Sequence, residues 1–448
     1  MTGTPMSESV YTKRERIARR ARQMPGTALL SLAHNMDLNW LLEAYRLTRK
    51  DGATGVDGQS GADYGENLEE NLRALEGRAK SGTYRAPNVR RTYIPKGDGK
   101  TTRPLGIPTF EDKVLQRAVV MLLEPVYEQD FYDLSYGFRP KRSAHDALRA
   151  LDQTLFRMRG GWVLDVDIKD FFGSLSHSKL RDLLRRRVVD GVVTRLIGKW
   201  LHAGELEGGV VHYTDQGTPQ GGVVSPLLAN IYLHEALDAW WVREAQPRVR
   251  GRSHLIRYAD DFVMVFDRKE EAERVLREMA EHLACFGLTL HPDKTRLVRF
   301  LPPDGKGGEP ESFDFLGFTH YLGRTERGYW TPRRTTSRKR LSRALRATNQ
   351  WMRGARHWPI ANQARTLGLK LQGHMNYYGL RGNSRGINRF HHAVRRLWLK
   401  WLRRRSQRHR LDWEAFNRLL ERYPLPPARL RRGWRATQHQ LDLRPANP

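Results

Sequence analysis

The chain has 448 residues, with 78 Lys and Arg against 49 Asp and Glu, one Cys and a formal net charge of +29. That length exceeds the size at which a single hydrophobic core stops growing, so two to four subdomains are expected. The lone Cys285 excludes an internal disulfide and a multi-Cys zinc site, and reads as a packed small hydrophobe at a helix end.

The charge is unevenly placed. Residues 321–448 hold 31 basic and 5 acidic residues, a net of +26, whereas a uniformly Arg-rich composition would spread the excess evenly. Such an end reads as a surface for a polyanion, nucleic acid above all, with salt-dependent affinity from counterion release. Turns and Trp residues interrupt it, which disfavours one long amphipathic helix lying on a membrane. No apolar run approaches the length of a membrane span, and the basic start, Tyr11 to Arg22, lacks the apolar core of a signal peptide. A cytoplasmic protein without a membrane partner is expected.

Residues 1–60 read as polar and helical, ending in the Gly-rich turn from Asp51 to Gly58, which is either a loop that touches substrate or a connector. From Arg90 to Lys96 and from Thr101 to Pro108, two short strands flank the loop Gly97-Asp98-Gly99-Lys100 as a basic hairpin. Ser143 with Asp146 three residues on marks a helix start, and Ala147, Leu148, Leu151, Leu155 and Phe156 follow at helical spacing. Next comes Gly161 to Ile168, an apolar strand pattern interrupted by Asp165 and Asp167. Leu180, Leu183 and Leu184 indicate a further helix. After the loop Gln216 to Gly222, Ser225 before Pro226 reads as the cap of a helix that runs from Leu227 to Trp241. Tyr258-Ala259-Asp260-Asp261 then lies between Leu255-Ile256 and Phe262 to Phe266, as the tip of a hairpin. Val275, Leu276, Met279 and Leu283 line one face of the helix that follows. Helices alternating with antiparallel strands make an α+β layer.

Acids inside apolar strands need partners, because burying an uncompensated carboxylate costs several kcal/mol, roughly. A basic neighbour, protonation or a bound metal resolves the cost. Two acidic strand sites brought together suggest Mg²⁺, which is held by one or two carboxylates with substrate phosphates in two-metal phosphoryl transfer. Nucleotidyl transfer is the expected chemistry. Periodicity places Asp165 and Asp167 on one face and does not choose between them.

The motifs IPKGDGKTTRPLGIP, SYGFRP, DVDIKDFF, QGTPQGGVVSPLLANIYL, RYADDF, LTLHPDKTR, FLGF and GHMNYYG run in one order over nearly the whole chain. In that series the sequence resembles the reverse transcriptases encoded by group II introns, which also act as maturases. The resemblance implies a right-hand polymerase. Residues 1–60 would be a helical extension, 61–320 fingers and palm, 321–405 the thumb or maturase region, and 406–448 a basic C-terminal segment.

The resemblance also implies roles. Asp167 and Asp260 match metal ligands for two Mg²⁺ ions, Asp261 matches the companion acid near the primer end, and Ile168 falls at a position shared by metal and nucleotide. Lys96 and Arg103 match triphosphate-binding residues, Gln220 the nucleotide pocket, and Lys294 the palm lysine, for which an ordinary surface lysine is the alternative. Phe172 matches the aromatic against the deoxyribose, where a ring excludes a 2′-hydroxyl; a core Phe after a strand is the alternative. Asp165 is read as the partner of a nearby Arg or Lys.

In the cationic end, Ile387, Phe390, Val394, Leu397 and Trp401 space as one helix face, and Arg389, Arg396, Lys400 and Arg403 form a basic stripe suited to a duplex backbone. The implied partners are structured intron RNA, an RNA template with a DNA primer, deoxynucleoside triphosphates and a DNA target. With one Cys and an end at Pro448, the chain is expected to fall in the short subclass that lacks an endonuclease and borrows its primer from existing DNA ends or nascent strands. The expected function is RNA-directed DNA polymerisation with splicing assistance, in a bacterial cytoplasm and at the nucleoid during mobility. A domesticated enzyme in phage defence or beside a CRISPR system, and a non-catalytic splicing factor, are the alternatives.

Overall fold

Five consecutive side chains, Phe262 to Phe266, are fully buried. Successive strand residues point to opposite faces, so burial of all five requires cover on both sides. Each large apolar side chain so buried contributes about 1.5–3 kcal/mol. Their strand, Asp261–Phe266, lies between Ser253–Tyr258 and Gly161–Asp167 and is antiparallel to both. Arg296–Phe300 completes this four-stranded sheet beyond Gly161–Asp167. Helix Lys269–Cys285 packs on the two strands that carry Asp167 and Asp261, and helix Ala144–Met158 packs on Ser253–Tyr258. The mixed helix-and-sheet organisation is the α+β pattern expected from the sequence.

The computed structural model describes residues 9–95, 102–213, 216–217, 221–303, 309–405 and 411–430. They form two compact units, Met1–Val298 and Arg299–Pro448. In the first, helices Val10–Gln23 and Leu38–Leu47 bury Ile17, Ala21, Trp40, Leu41 and Ala44. Both pack on the long helix Phe110–Tyr127, where Trp40 Nε1 donates to the Ala118 carbonyl at 3.0 Å. The first sixty residues therefore contribute to this unit's main core. Two cations hold the Gly-rich turn: Arg90 donates to the Thr54 carbonyl at 2.7 Å and Lys113 to that of Ala53 at 2.6 Å. A Cβ on Gly55 would lie 2.5 Å from Thr109 Cα, so only glycine fits there.

A second sheet pairs Val89–Pro95 antiparallel with Thr102–Ile107, closing the basic hairpin at Pro95 opposite Thr102. The hairpin loop, with Lys96, lies outside the described residues. Ser143 and Asp146 form the expected reciprocal capping box. Phe156, read as part of that helix's apolar face, is 63% exposed; the buried stripe runs through Ala147, Leu148, Leu151 and Leu155.

Two local expectations are corrected. Ser225 lies inside the first turn of helix Ser225–Leu233, and the capping position is Val224, which makes no side-chain cap bond. The helix then continues in wide, π-helical turns over His234–Ala239 and Trp241–Ala245. Cys285 does end its helix, but it is exposed, with Sγ 3.6 Å from the Glu281 carbonyl.

In the second unit, strands Phe313–Phe315, Phe318–Arg324 and Trp330–Thr336 form one sheet. Helices Arg338–Ala355, Ile360–Tyr378, Ser384–Arg403 and Trp413–Arg422 bury Met352, Leu371, Phe390, Trp398 and Phe416 together. Ile387, Phe390, Val394 and Trp401 are buried as expected, but Trp398 takes the core position expected of Leu397, which is only partly buried. Among the described residues no helix is long and apolar enough to cross a membrane.

Candidate active site

The strand Gly161–Asp167 ends on Asp167, and its register sets Asp167 directly opposite Asp261. Tyr258 pairs with Asp261 across the neighbouring hairpin, leaving Ala259 and Asp260 as its two-residue turn. Ala259 has φ +58°, the left-handed conformation that two-residue hairpin turns demand. Two strands thus deliver three acids to one end of the sheet. Asp260 is half-buried and Asp261 exposed.

Burial pushes the Asp260 carboxyl above its usual range; the Arg103 charge opposes the rise and the Asp167 charge adds to it. Asp167 and Arg103 are therefore within electrostatic reach of the turn. Lys294 Nζ stands 2.8 Å from Asp167 Oδ2. The main chain explains its position: His291 N donates to the Asp167 carbonyl at 2.8 Å, Lys169 N to that of Thr289 at 2.8 Å, and a turn from His291 brings Lys294 back over the strand end. Asp165 pairs with Arg296 at 2.8 Å, the basic partner expected for it.

Among the described residues, no group of three or more His, Cys, Asp or Glu side chains has the arrangement of a metal site. The oxygen-only pair Asp167 and Asp260 nevertheless suits Mg²⁺, which takes few protein carboxylates and completes its shell with phosphate and water. Like charges converging on a half-buried carboxyl are the condition that such an ion relieves. The Ile168 side chain is apolar and 4% exposed, so only its main-chain carbonyl has ligand chemistry.

Phe171 is 3% exposed and fills the core behind the acid strand, while Phe172 is half-buried with its ring 5.3 Å from that of Phe171. Gly217, at φ +89°, runs against this pair, since a Cβ on it would lie 3.1 Å from the Phe172 carbonyl. Gly221 approaches the basic hairpin so closely that its Cβ would meet the Gly106 carbonyl at 2.5 Å. Gln220, between these two glycines, lies outside the described residues.

Sequence reasoning missed the groups beneath this site. Arg257 and Asp238 form a fully buried ion pair, and Asn230 joins them. Arg257 interrupts the apolar run before the hairpin tip, the same signal that singled out Asp165 and Asp167. Asp112 and Gln116, buried in helix Phe110–Tyr127, were also overlooked.

In the second unit, Arg389, Arg396, Lys400 and Arg403 are all exposed and line one groove of about 760 Å³ with Arg346, Leu397 and Trp413. The basic stripe and an apolar floor thus share a single concave surface.

Residues 94–320 match the family described as reverse transcriptase, RNA-dependent DNA polymerase. The chain is 37% identical over 294 residues to Protein YkfC of Escherichia coli (strain K12), a match covering 58% of this chain and 76% of that protein. It is 48% identical over 169 residues to the group II intron-encoded protein LtrA of Lactococcus lactis subsp. cremoris, covering 37% of this chain and 28% of LtrA. A third relative, an uncharacterized 91 kDa protein in the cob intron of Schizosaccharomyces pombe, is 26% identical over 457 residues, covering 84% of this chain and 54% of the relative. The matches thus reach well under two thirds of the two intron proteins' lengths.

Proposed function

Because the chain belongs to the reverse transcriptase family, we propose that it copies RNA into DNA at Asp167, Asp260 and Asp261, and that it does so for a group II intron whose RNA it binds and helps to splice. The observation that carries the reading is the register that sets Asp167 against the Asp260-Asp261 turn. Residues 61–320 supply fingers and palm and residues 321–405 the thumb.

Asp167 and Asp260 would hold Mg²⁺, with the Ile168 carbonyl as a further oxygen, and Asp261 would flank the primer end. Ions held there would supply a lower pKa for the primer 3′-hydroxyl and charge compensation for the leaving pyrophosphate. No protein nucleophile is required. Lys294 neutralises Asp167 and orients it. Arg103, with Lys96, meets the triphosphate, for which a guanidinium offers paired donors. Gln220 lines the nucleotide pocket, and the half-buried Phe172 ring presses on the sugar and disfavours a 2′-hydroxyl. Arg389, Arg396, Lys400 and Arg403 grip phosphates of the intron RNA or of the template–primer duplex, and a DNA target receives the product. This chemistry belongs in a bacterial cytoplasm and at the nucleoid.

The intact acids and cations favour an enzyme over a non-catalytic splicing factor. The test is RNA-templated primer extension with Asp260→Ala. Extension should be lost while RNA affinity is retained, because a ligand is removed and the basic groove is not. Extension at the wild-type level would remove the assignment.

A further inference from the structure

The turn that carries Asp260 is held from below by one guanidinium. Arg257 and Asp238 are both fully buried, with Nε 2.8 Å from Oδ1 and Nη2 2.5 Å from Oδ2. Arg257 Nη1 donates at 3.0 Å to the Ala259 carbonyl and at 3.0 Å to Asn230 Oδ1. Asn230, itself buried, donates through Nδ2 to the Gly137 carbonyl at 2.7 Å. The main chain closes the arrangement: Arg257 N donates to the Leu134 carbonyl and Tyr136 N to that of Arg257, each at 2.9 Å. Gly137 lies so near that a Cβ on it would stand 2.3 Å from Ala259 N.

Four of the five guanidinium donors are engaged, and the one that leaves the ion pair and the amide goes to the peptide bond joining Ala259 to Asp260. That peptide carries a non-glycine residue at φ +58°, a strained conformation that persists only where its surroundings over-determine it. A buried ion pair is poor evidence of a stability role, since apolar packing of equal volume often serves as well. What apolar side chains cannot do is hold a carbonyl at a set angle.

We propose that Arg257 is a positioning residue for polymerisation: with Asp238 and Asn230 it fixes the Ala259–Asp260 peptide plane, and through it the direction of the Asp260 carboxylate towards Asp167. This rests on the reading of Asp167 and Asp260 as metal ligands. Supporting groups behind a metal ligand are worth about 10- to 100-fold in metal affinity or activity when removed.

The experiment titrates Mg²⁺ in primer extension with Arg257→Lys and Asn230→Ala, at a temperature where melting curves and RNA binding show each variant folded. Lys keeps the charge and the contact with Asp238 but cannot also reach the Ala259 carbonyl. Asn230→Ala leaves the ion pair whole, so it decides the question if Arg257→Lys does not fold. The half-saturating Mg²⁺ concentration should rise about tenfold or more, both in primer extension and in direct Mg²⁺ binding by calorimetry without nucleotide, and kcat should fall, with KM for the nucleotide little changed. Arg252→Lys, at the exposed far end of the same hairpin where Arg252 meets Asp267 at 3.1 Å, should leave all three unchanged. Folded variants with the wild-type Mg²⁺ requirement would make Arg257 merely structural. An active Asp260→Ala would instead overturn the metal-site reading itself, so the two failures are distinguishable.

Discussion

Gln116 is oriented by Asp112. Asp112 Oδ2 accepts from Gln116 Nε2 at 3.0 Å, which turns Gln116 Oε1 towards the main-chain N–H groups of Val223 at 2.7 Å and Val224 at 3.3 Å. The side-chain acceptor at the entrance of helix Ser225–Leu233 is thus supplied by a different helix, and it holds the main chain at Val223 and Val224.

Asp112→Asn tests this relay. Asp112 Oδ1 accepts from Tyr84 Oη at 2.5 Å and from Trp200 Nε1 at 2.6 Å, so the new amide must face Gln116 and force it to flip. A flipped Gln116 presents its NH₂ to two N–H donors. The KM for deoxynucleotides should rise by about tenfold, the cost of leaving a buried donor unsatisfied, while RNA affinity stays unchanged. An unchanged KM would mean that the main chain at Val223 and Val224 does not depend on the relay.

The same carboxyl gives a pH dependence. Burial pushes Asp112 up to about 6 against its hydrogen bonds. Between its unfolded value and about 6 the folded state holds a proton that the unfolded state does not, so this stabilisation is full at low pH and is lost as pH rises through 6. The span is about 3 kcal/mol. Thermal melts of wild type and Asp112→Asn should therefore converge as pH rises from 4 to 6; parallel profiles would contradict the assignment.

In the second unit the sign reverses. His374 stacks on Phe390 with centroids 3.7 Å apart, and burial pushes it down to about 4. Its neutral form is favoured by folding, so stability present above pH 6.5 is lost as pH falls towards 4, by about 3 kcal/mol. His374→Leu should gain on wild type steadily between pH 7 and 5 in melting temperature. A constant difference would show that His374 does not titrate with unfolding.

How much was legible follows from what each pattern encodes. The acid strands and the hairpin tip were readable because Asp stands out within β-branched and aromatic runs, and the register then follows from a two-residue turn. The stripe through Arg389, Arg396, Lys400 and Arg403 was readable from helical spacing. Asp112, Gln116, Asn230 and Asp238 were not, because their partners are distant in sequence and a buried polar residue in a helix looks like a solvated one. Trp398 displaced Leu397 because adjacent positions on a helix differ by about 100° and the wide apolar face admits either. The exposure of Cys285 is likewise invisible to composition.

The groove in the second unit predicts a graded electrostatic effect. Replacing Arg396 and Lys400 by Gln should each lower the slope of log affinity against log salt by about one, if each meets a phosphate. Primer extension at saturating RNA should persist. An unchanged slope for both would move the footprint elsewhere on the chain.

Phe172→Ala is expected to admit ribonucleotides by about tenfold or more, the scale of a pocket contact removed, with some loss of stability because the ring also packs against the core. Unchanged sugar discrimination would exclude Phe172 as the gate.

The most direct measurement is single-turnover primer extension with Asp167→Asn, which keeps the side-chain shape while removing the charge opposite the Asp260-Asp261 turn. The account predicts a loss of about a thousandfold or more, several kcal/mol of transition-state stabilisation, with template–primer binding unaltered. Nucleotide addition at a rate near that of the unaltered protein would contradict it.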